Sequence, residues 1–315
     1  MDYAKFSANA AQIRLDVFTQ MRKTRGTKYD TTIRGMQLFP YVMLLQEKGN
    51  LKRARLRGEL LSSYYVLMRS IDDIVDTDAP LPPESKSTIE YVTNRIKYAS
   101  GNSAPSDPKD HLLAYCNYLA RELGFRMEAE TIAILRSMRF DAVRVEAAKQ
   151  TGKGKIFSRN ELEYHFHQLD IEGTVRGMLK LFDEDPEKTP LLMAAGNADR
   201  IKLTLKDLTA DLRVGLINIP AEDMAGYRIM PSEITEASGL TSNLELLLSS
   251  GQLPPGISRW VKAEANKGLE LLGKQKQIME MNTFRTLGRI ALRLFYTGLT
   301  EKYFNKLLEA YAAKA

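Results

Sequence analysis

Apolar residues recur at intervals of three and four along most of the chain. The spacing is clear in LRGELLSSYYVLMRSIDDIVD (56–76), HLLAYCNYLARELGF (111–125) and ETIAILRSMRFDAVRVEAAK (130–149). This period places apolar side chains on one face of an α-helix. Alternating β-branched runs joined by Asn-Gly or Asp-Gly turns, the pattern of β-hairpins, are absent from the sequence. The sequence therefore predicts an all-α protein.

Four segments rich in proline, glycine and polar residues interrupt this helical pattern. They are residues 76–87, 101–110, 151–160 and 251–258. Proline and glycine end helices, so each segment predicts a loop. None is long enough, or followed by a sharp enough change in composition, to indicate a linker between domains. The pattern predicts a single domain over residues 1–315 with about eight to ten helices.

Composition and charge narrow the expected partners and location. The chain has 45 Lys and Arg residues against 39 Asp and Glu residues, so its formal charge of +6 favours anionic partners. One cysteine and three histidines leave no internal disulfide and no structural zinc site. The first residues are charged where a signal peptide needs an apolar core, and no apolar run reaches the roughly 20 residues that cross a bilayer. The expected location is the cytoplasm, with peripheral membrane contact left open.

Two pairs of aspartates are the main candidates for chemistry. Asp72 and Asp76 lie near the end of a predicted helix, and Asp207 and Asp211 repeat the spacing within LTLKDLTADL (203–212). Residues four apart project from the same face of a helix, so each pair can reach one divalent cation. Carboxylate oxygens without histidine or thiol partners suit Mg²⁺, which is commonly held by a few carboxylates together with phosphate and water.

Acidic pairs with this spacing are also common on solvated helix faces, and either pair alone fits that interpretation. Two features favour a functional role. Asp72 lies at the end of a strongly apolar segment, and each pair follows a basic residue, Arg69 or Lys206, that can bind a diphosphate oxygen. Metal ions held by such pairs can neutralise a diphosphate leaving group, and an apolar cavity must then keep the resulting carbocation from water.

Three segments resemble motifs of the squalene/phytoene synthase family, the head-to-head branch of the trans-isoprenyl diphosphate synthases. YYVLMRSIDDIVD (64–76) is similar to its Tyr-x-x-x-Arg-x-x-Asp-Asp-x-x-Asp element. KDLTADLRVGLINIPAEDM (206–224) is similar to its Asp-x-x-x-Asp-x-x-x-Gly…Leu-Pro-x-Glu-Asp-Leu element, and HQLDIEGTVRGML (167–179) resembles its glycine-kinked helix. Order and spacing also agree, so the resemblance covers roughly residues 30–300.

The resemblance implies an isoprenoid synthase-like helical bundle around a central prenyl-binding cavity. It implies that four aspartates bind Mg²⁺ and drive ionisation: Asp72, Asp76, Asp207 and Asp211. The residues implied on the diphosphate side of the pocket are Arg69, Tyr65, Lys206 and Arg34. The residues implied along the prenyl cavity are Met68, His167, Gly173 and Met178. In that family two farnesyl or geranylgeranyl diphosphates condense head to head, through a cyclopropyl intermediate, to a squalene- or phytoene-type product.

Several positions depart from the family pattern. Arg200 and Leu203 stand where Gln and Asn are usual, and Lys206 stands where Arg is usual. His167 replaces a tyrosine, and Glu172 stands where a small apolar residue is expected. An ammonium cannot make the bidentate contact of a guanidinium. With these changes, the fold and the ionisation of the first diphosphate are still expected. The second half-reaction, which converts the cyclopropyl intermediate to the product, is put in question.

Two alternatives stay open beside head-to-head condensation. The first is a class I terpene cyclase that ionises and cyclises one prenyl diphosphate on the same fold. The second is a non-catalytic lipid-binding relative, which four mutually repelling carboxylates disfavour. The predicted partner is a prenyl diphosphate and not a nucleic acid, and no motif supports NADPH use. The sequence leaves open the substrate chain length, the linear or cyclised product and the oligomeric state.

Four further features have simpler interpretations. The basic segment LKRARLRG (51–58) fits either a surface that guides diphosphates or a solvated helix face. His165 is expected to be packed or hydrogen-bonded within the fold. Trp260 falls on an apolar helical stripe and Cys116 lies in an apolar helix, so both are expected in the core.

Overall fold

The computed structural model is predominantly helical over the residues that it describes. The described residues are 3–27, 30, 35–36, 39–41, 43–44, 47–285, 293 and 297–313, and none of them forms a β-strand. The prediction of an all-α protein is confirmed. No helix within these ranges is long and apolar enough to cross a membrane.

The described ranges contain fourteen α-helices. They are α1 (Tyr3–Arg25), α2 (Leu51–Val75), α3 (Thr88–Ala99), α4 (Pro108–Glu122), α5 (Glu128–Thr151), α6 (Arg159–Phe166), α7 (Arg176–Leu181), α8 (Met193–Lys206), α9 (Leu208–Val214), α10 (Ala221–Gly226), α11 (Pro231–Ser238), α12 (Leu244–Ser249), α13 (Pro255–Met281) and α14 (Leu299–Ala312). A π-helix (His167–Val175) follows α6, and a 3-10 helix (Pro186–Leu192) precedes α8.

The expectation of about eight to ten helices is wrong because it is too low. Each of the four predicted loops contains a break between two α-helices, but only 76–87 lies wholly outside helices, since the last residues of the other three already belong to the following helix. The additional helices come mainly from short elements such as α10, α11 and α12, which have six to eight residues each. Segments this short carry too few apolar repeats for periodicity to reveal them.

Contacts group the described residues into two compact units. The first comprises Met1–Ala142 with Lys180–Asp183, and the second comprises Val143–Leu179 with Glu184–Ala315. The single domain expected over residues 1–315 stays a prediction. In the first unit, α2 packs against α1 and α4. The side chain of Asn50 accepts a hydrogen bond from the Arg53 amide and so caps the start of α2.

The basic segment at the start of α2 contributes a buried arginine to the first unit. Arg57 is fully buried, and its guanidinium is bonded to the carboxylates of Glu47 and Asp183. It also donates to the carbonyl oxygens of Lys180, at 3.0 Å, and Leu181, at 2.9 Å. Both sequence interpretations of this segment are wrong for Arg57, because its charge is compensated inside the fold rather than presented to solvent or substrate.

The second unit is built around α8, α13 and α14. α13 packs along both α8 and α14. A Cβ added at Gly268 would lie 2.3 Å from the ring of Phe304, so glycine allows α13 and α14 their close approach. Trp260 is 2% exposed, which confirms that it belongs to the core.

The π-helix replaces regular α-helical geometry in the segment that carries the predicted glycine kink. α6 begins with a capping box in which Ser158 and Glu161 bond each other's backbone amides. The helix then continues into the π-helix, which contains Gly173. A Cβ added at Gly196 of α8 would lie 2.6 Å from Cδ1 of Ile171, so α8 packs closely on the π-helix at this glycine.

Candidate active site

The first acidic pair converges on one guanidinium at the end of α2. Arg69 pairs with the Asp72 carboxylate, and its Nη2 lies 3.1 Å from Oδ1 of Asp73 and 3.9 Å from Oδ2 of Asp76. The side chain of Asp73 is 1% exposed, whereas those of Asp72 and Asp76 are 30% and 34% exposed. The two motif carboxylates therefore lie on the same side of the helix end and remain accessible.

Asp76 also ends α2. It is the C-cap residue, and its amide donates to the carbonyl oxygen of Asp72 at 2.8 Å. Tyr65 and Met68 precede the motif on the same helix; Tyr65 is half-buried and Met68 is 8% exposed. Their roles beside diphosphate and prenyl chain stay predictions. Arg34 lies outside the described residues.

The second acidic pair spans a junction between two helices instead of lying within one. Asp207 is the C-cap of α8, and α9 begins at the next residue. The Asp211 amide still donates to the Asp207 carbonyl at 2.8 Å, so helical spacing is kept across the junction. Asp207 and Lys206 are exposed, while half-buried Asp211 accepts a hydrogen bond from Nδ2 of Asn218 at 2.9 Å.

Gly215 of the second motif is required by backbone geometry. It is the C-cap of α9 and has a φ of +85°, a left-handed conformation that side chains disfavour. A Cβ at this position would lie 2.3 Å from Cβ of Ala148. The glycine therefore ends α9 and allows close packing against α5.

The segment after Gly215 is held in place by an ion pair and by a hydrogen bond from an indole. Nη2 of Arg159 lies 2.5 Å from Oδ1 of Asp223, and Nε1 of Trp260 donates to Oδ2 of Asp223 at 3.1 Å. The Arg159 amide donates to the Glu222 carboxylate at 2.9 Å. Adjacent acidic residues of the Pro-x-Glu-Asp element therefore connect α10 to the start of α6 and to α13.

Arg200, the main departure from the family pattern, forms a bidentate ion pair. Its Nε and Nη2 lie 2.7 Å from Oδ2 and Oδ1 of Asp170, and its guanidinium carbon lies 4.7 Å from the centre of the Phe166 ring. The pair joins α8 to the π-helix. Arg200 therefore neutralises the charge of Asp170. The uncharged glutamine of the family pattern could not do so.

A cavity of about 330 Å³ lies within the second unit. The described residues that line it are Arg159, Leu162, Glu163, Phe166, His167, Met193, Asn197, Arg200, Ile201, Thr204, Leu205, Asn218, Pro220, Asp223, Trp260, Glu264, Lys267 and Leu271. His167 is thus at a cavity wall, with Nε2 3.4 Å from Glu172. Gly173, Met178 and the four aspartates predicted to bind Mg²⁺ are not among the lining residues, so the prenyl roles of Gly173 and Met178 stay predictions.

Comparison with known proteins rests on structure rather than on sequence. No protein-family model matches the chain, and no curated protein matches its sequence. The fold matches the crystal structure of squalene synthase HpnC from Alicyclobacillus acidocaldarius with a TM-score of 0.56 and 16% sequence identity. The match covers 89% of this chain and 96% of that chain. The chain has the squalene synthase fold.

The squalene synthase fold confirms the architecture that the motif resemblance implies. An all-α isoprenoid synthase-like bundle was expected from the segments around Asp72 and Asp207, and the match extends well beyond them. At 16% identity the match establishes the fold, and the roles of individual residues stay predictions.

The acidic pairs fit Mg²⁺ as partial ligand sets. Among the described side chains, no group of three or more His, Cys, Asp or Glu residues is placed to hold a metal ion. Mg²⁺ commonly takes only one or two carboxylates and completes its shell with substrate phosphates and water. Two accessible carboxylates at Asp72 and Asp76, with oxygen donors alone, match that requirement.

Sequence reasoning missed three features of these sites. Asp73, buried against Arg69, was not a candidate, although the Asp-Asp repeat carried the signal. The pairing of Asp223 with Arg159 had no local signal, because the two residues are 64 positions apart. Glu264, on α13, also lines the cavity without any motif that marks it.

Proposed function

We propose that this protein is a magnesium-dependent prenyl transferase that condenses two farnesyl or geranylgeranyl diphosphates head to head into a squalene- or phytoene-type product. The observation that carries the proposal is the squalene synthase fold over 89% of the chain. The two acidic motifs support it, because their order and spacing resemble those of the squalene/phytoene synthase family.

The first motif supplies accessible oxygen ligands beside a cation. Asp72 and Asp76 would hold Mg²⁺ at the end of α2, with Asp207 and Asp211 as the second ligand pair. When bound, Mg²⁺ neutralises the charge of a diphosphate leaving group. Arg69, which pairs with Asp72 and lies close to Asp76, would hold these carboxylates in place beside the diphosphate.

A second candidate function is the cyclisation of a single prenyl diphosphate. The pairing of Arg200 with Asp170 favours it, since this guanidinium is neutralised where the family pattern has an amide side chain. A second diphosphate would find one contact fewer near Asp207. One ionisation is common to both candidates, and only the fate of the cation differs.

Product analysis distinguishes the candidates. Purified protein is incubated with farnesyl or geranylgeranyl diphosphate, with and without Mg²⁺ and NADPH, and products are identified by mass spectrometry. Head-to-head condensation gives a hydrocarbon skeleton twice the length of the substrate chain. A cyclised product of one substrate molecule would replace the first proposal with the second.

Two isosteric variants test the acidic motifs. Asp72→Asn and Asp207→Asn should each lower Mg²⁺-dependent turnover by about a hundredfold or more, because a carboxylate ligand is lost. Asp16→Asn serves as the control, since Asp16 is exposed on α1 and bonded to Gln12. If both motif variants turn over and bind diphosphate like the wild type, the enzymatic proposal fails and the lipid-binding alternative gains.

A further inference from the structure

The cavity of the second unit has an apolar floor. Leu162 and Trp260 are each 2% exposed, Leu205 is fully buried and Ile201 is 8% exposed. All four line the cavity, whose volume of about 330 Å³ is enough for a small molecule. A ligand that fills it would place hydrocarbon or aromatic surface against this floor.

Both arginines among the described lining residues, Arg159 and Arg200, are already neutralised. Arg159 pairs with Asp223, which also accepts from Trp260. Arg200 pairs through its Nε and Nη2 with both carboxylate oxygens of Asp170. An anionic ligand would therefore have to displace a carboxylate to bind either guanidinium, and the cavity disfavours such a ligand.

The remaining charges leave the cavity with an excess carboxylate. They are Glu163, Glu264 and Lys267. Nζ of Lys267 lies 3.8 Å from Oε1 of Glu264, and the lysine side chain is 45% exposed against 16% for Glu264. This lysine lies near solvent and only partly compensates the more buried carboxylate. Exposed Glu163 forms no ion pair within the described part of the chain.

Glu264 is a largely buried carboxylate whose charge Lys267 compensates only in part. Its pKa is raised above the usual glutamate value, first by burial and then by the charges of Asp223 and Glu163, whereas Lys267 and Arg159 act in the opposite direction. A cation beside Glu264 would relieve this cost. Thr204, 8% exposed and on the cavity wall, adds a hydroxyl that has no hydrogen bond among the described residues.

We propose that this cavity binds a small amphiphilic amine, with its ammonium group at Glu264 and its apolar body against Trp260 and Leu205. The binding would need neither a diphosphate nor Mg²⁺, although His167, a predicted prenyl-cavity residue, lines the same cavity. The ammonium would be attracted by Glu264 and Glu163 and by the face of the Trp260 indole.

The chain's one tryptophan provides a direct readout. Trp260 lies at the cavity wall, so a ligand there changes the intrinsic tryptophan fluorescence. Wild-type protein is titrated with hexylamine, hexanol, hexanoate and hexamethylenediamine. Hexylamine should give a saturable change with an affinity at least about tenfold higher than that of hexanol, because only the amine carries the charge.

The other probes separate the two halves of the proposed ligand. Hexanoate should give no saturable change, since its carboxylate would face Glu264 and Glu163. Hexamethylenediamine should bind about tenfold more weakly than hexylamine, because its second ammonium would lie on the apolar floor. Equal binding of the diamine would overturn the amphiphilic assignment and indicate a polyamine site. Equal binding of hexanol, or no saturable change with hexylamine, would overturn the proposal.

An isosteric variant assigns the charge to one residue. Glu264→Gln should weaken hexylamine binding by about tenfold or more and leave hexanol binding unchanged. Glu270→Gln, at an exposed position of the same helix, is the matched control and should bind like wild type. Unchanged hexylamine affinity in Glu264→Gln would contradict the proposal. If the variant fails to fold, the wild-type probe series still supports or overturns the proposal.

The pH dependence supplies an independent test. Hexylamine stays protonated below a pKa of about 10.4, so only protein groups titrate in acid. The affinity should fall as pH decreases through the raised pKa of Glu264, at a higher pH than an ordinary glutamate would give. Other titratable or charged groups facing it are Asp223, Glu163, Lys267, Arg159 and His167. In Glu264→Gln this part of the pH profile should disappear; its persistence would overturn the assignment to Glu264.

Discussion

Arg200 donates to both carboxylate oxygens of Asp170, with Nε to Oδ2 and Nη2 to Oδ1 distances of 2.7 Å each. The two residues are 30 positions apart, and their pairing joins α8 to the π-helix. Because both side chains are less than a fifth exposed, removing one partner leaves the other partly desolvated and without this ion pair. A position that departs from the family pattern thus has a defined structural role.

Arg200→Met should lower the free energy of unfolding by about 2 to 4 kcal/mol. Asp170→Asn should have a similar effect, and the double variant should lose less than the sum, with a coupling energy of roughly 1 to 3 kcal/mol. Urea unfolding followed by circular dichroism measures the free energy of unfolding of the wild type, the two single variants and the double variant. Strictly additive losses would show that the pair contributes no interaction energy.

Gly215→Ala should destabilise the protein by about 2 to 5 kcal/mol, because a side chain adds backbone strain at positive φ and collides with Ala148. Thermal unfolding measures the effect. Gly152→Ala is the matched control, since Gly152 has a φ of +68° but no atom within 4 Å of an added Cβ. The Gly152→Ala variant should lose about 1 to 2 kcal/mol of stability, which is the cost of the backbone strain alone. Equal losses in both variants would show that the contact with Ala148 contributes nothing.

Glu47→Gln should make the free energy of unfolding less dependent on pH in the acidic range. Burial raises the pKa of Glu47, but hydrogen bonds from Arg57 and Arg53 outweigh it and hold the pKa below its usual value of 4.5. The carboxylate therefore contributes stability above that value, and the contribution is lost as pH falls through the lowered pKa.

Unfolding free energies measured from about pH 7 to about pH 3 test this expectation. The variant should be less stable than wild type at neutral pH, and the difference should shrink in acid. Glu122→Gln, at the exposed end of α4, is the control and should follow the wild-type curve. A difference that stays constant over the whole range would contradict the role of ionised Glu47.

Cys116 should resist alkylation while the protein is folded. Its side chain is fully buried, and burial raises the pKa of the thiol, so both access and thiolate are lacking. Treatment with iodoacetamide at about pH 8, followed by mass spectrometry, should show a slow reaction that becomes fast in urea. As the only cysteine, it has an unambiguous adduct. Rapid labelling of the native protein would contradict the packing around α4.

Local patterns predicted much of the fold. The apolar period predicted helices, and proline with glycine predicted where α2, α3, α5 and α12 are followed by loops. Burial of Cys116, His165 and Trp260 was also predicted correctly. Each of these depends on neighbouring residues of the sequence. Arg57 was predicted wrongly because its partner Asp183 comes from a segment 126 positions away.

Within the candidate site, the sequence predicted only the features that the motifs themselves carry. The spacing of Asp72 and Asp76 predicted a shared face, and Arg69 confirms it by reaching both. The helix junction at Asp207 was not predicted, because spacing alone assumes an unbroken helix. The cavity that contains Glu264 depends on packing between α6, α8 and α13, which no single segment encodes.

The first acidic pair lies where a 25-residue helix ends, and this position has an electrostatic consequence. The final carbonyl groups of α2 carry partial negative charge, and no basic residue lies in its last turn. Under the proposed function, a free diphosphate approaching Asp72 and Asp76 would thus be repelled by the backbone as well as by the carboxylates. A cation would be attracted by both. The proposed function therefore predicts that the cation binds before the anion.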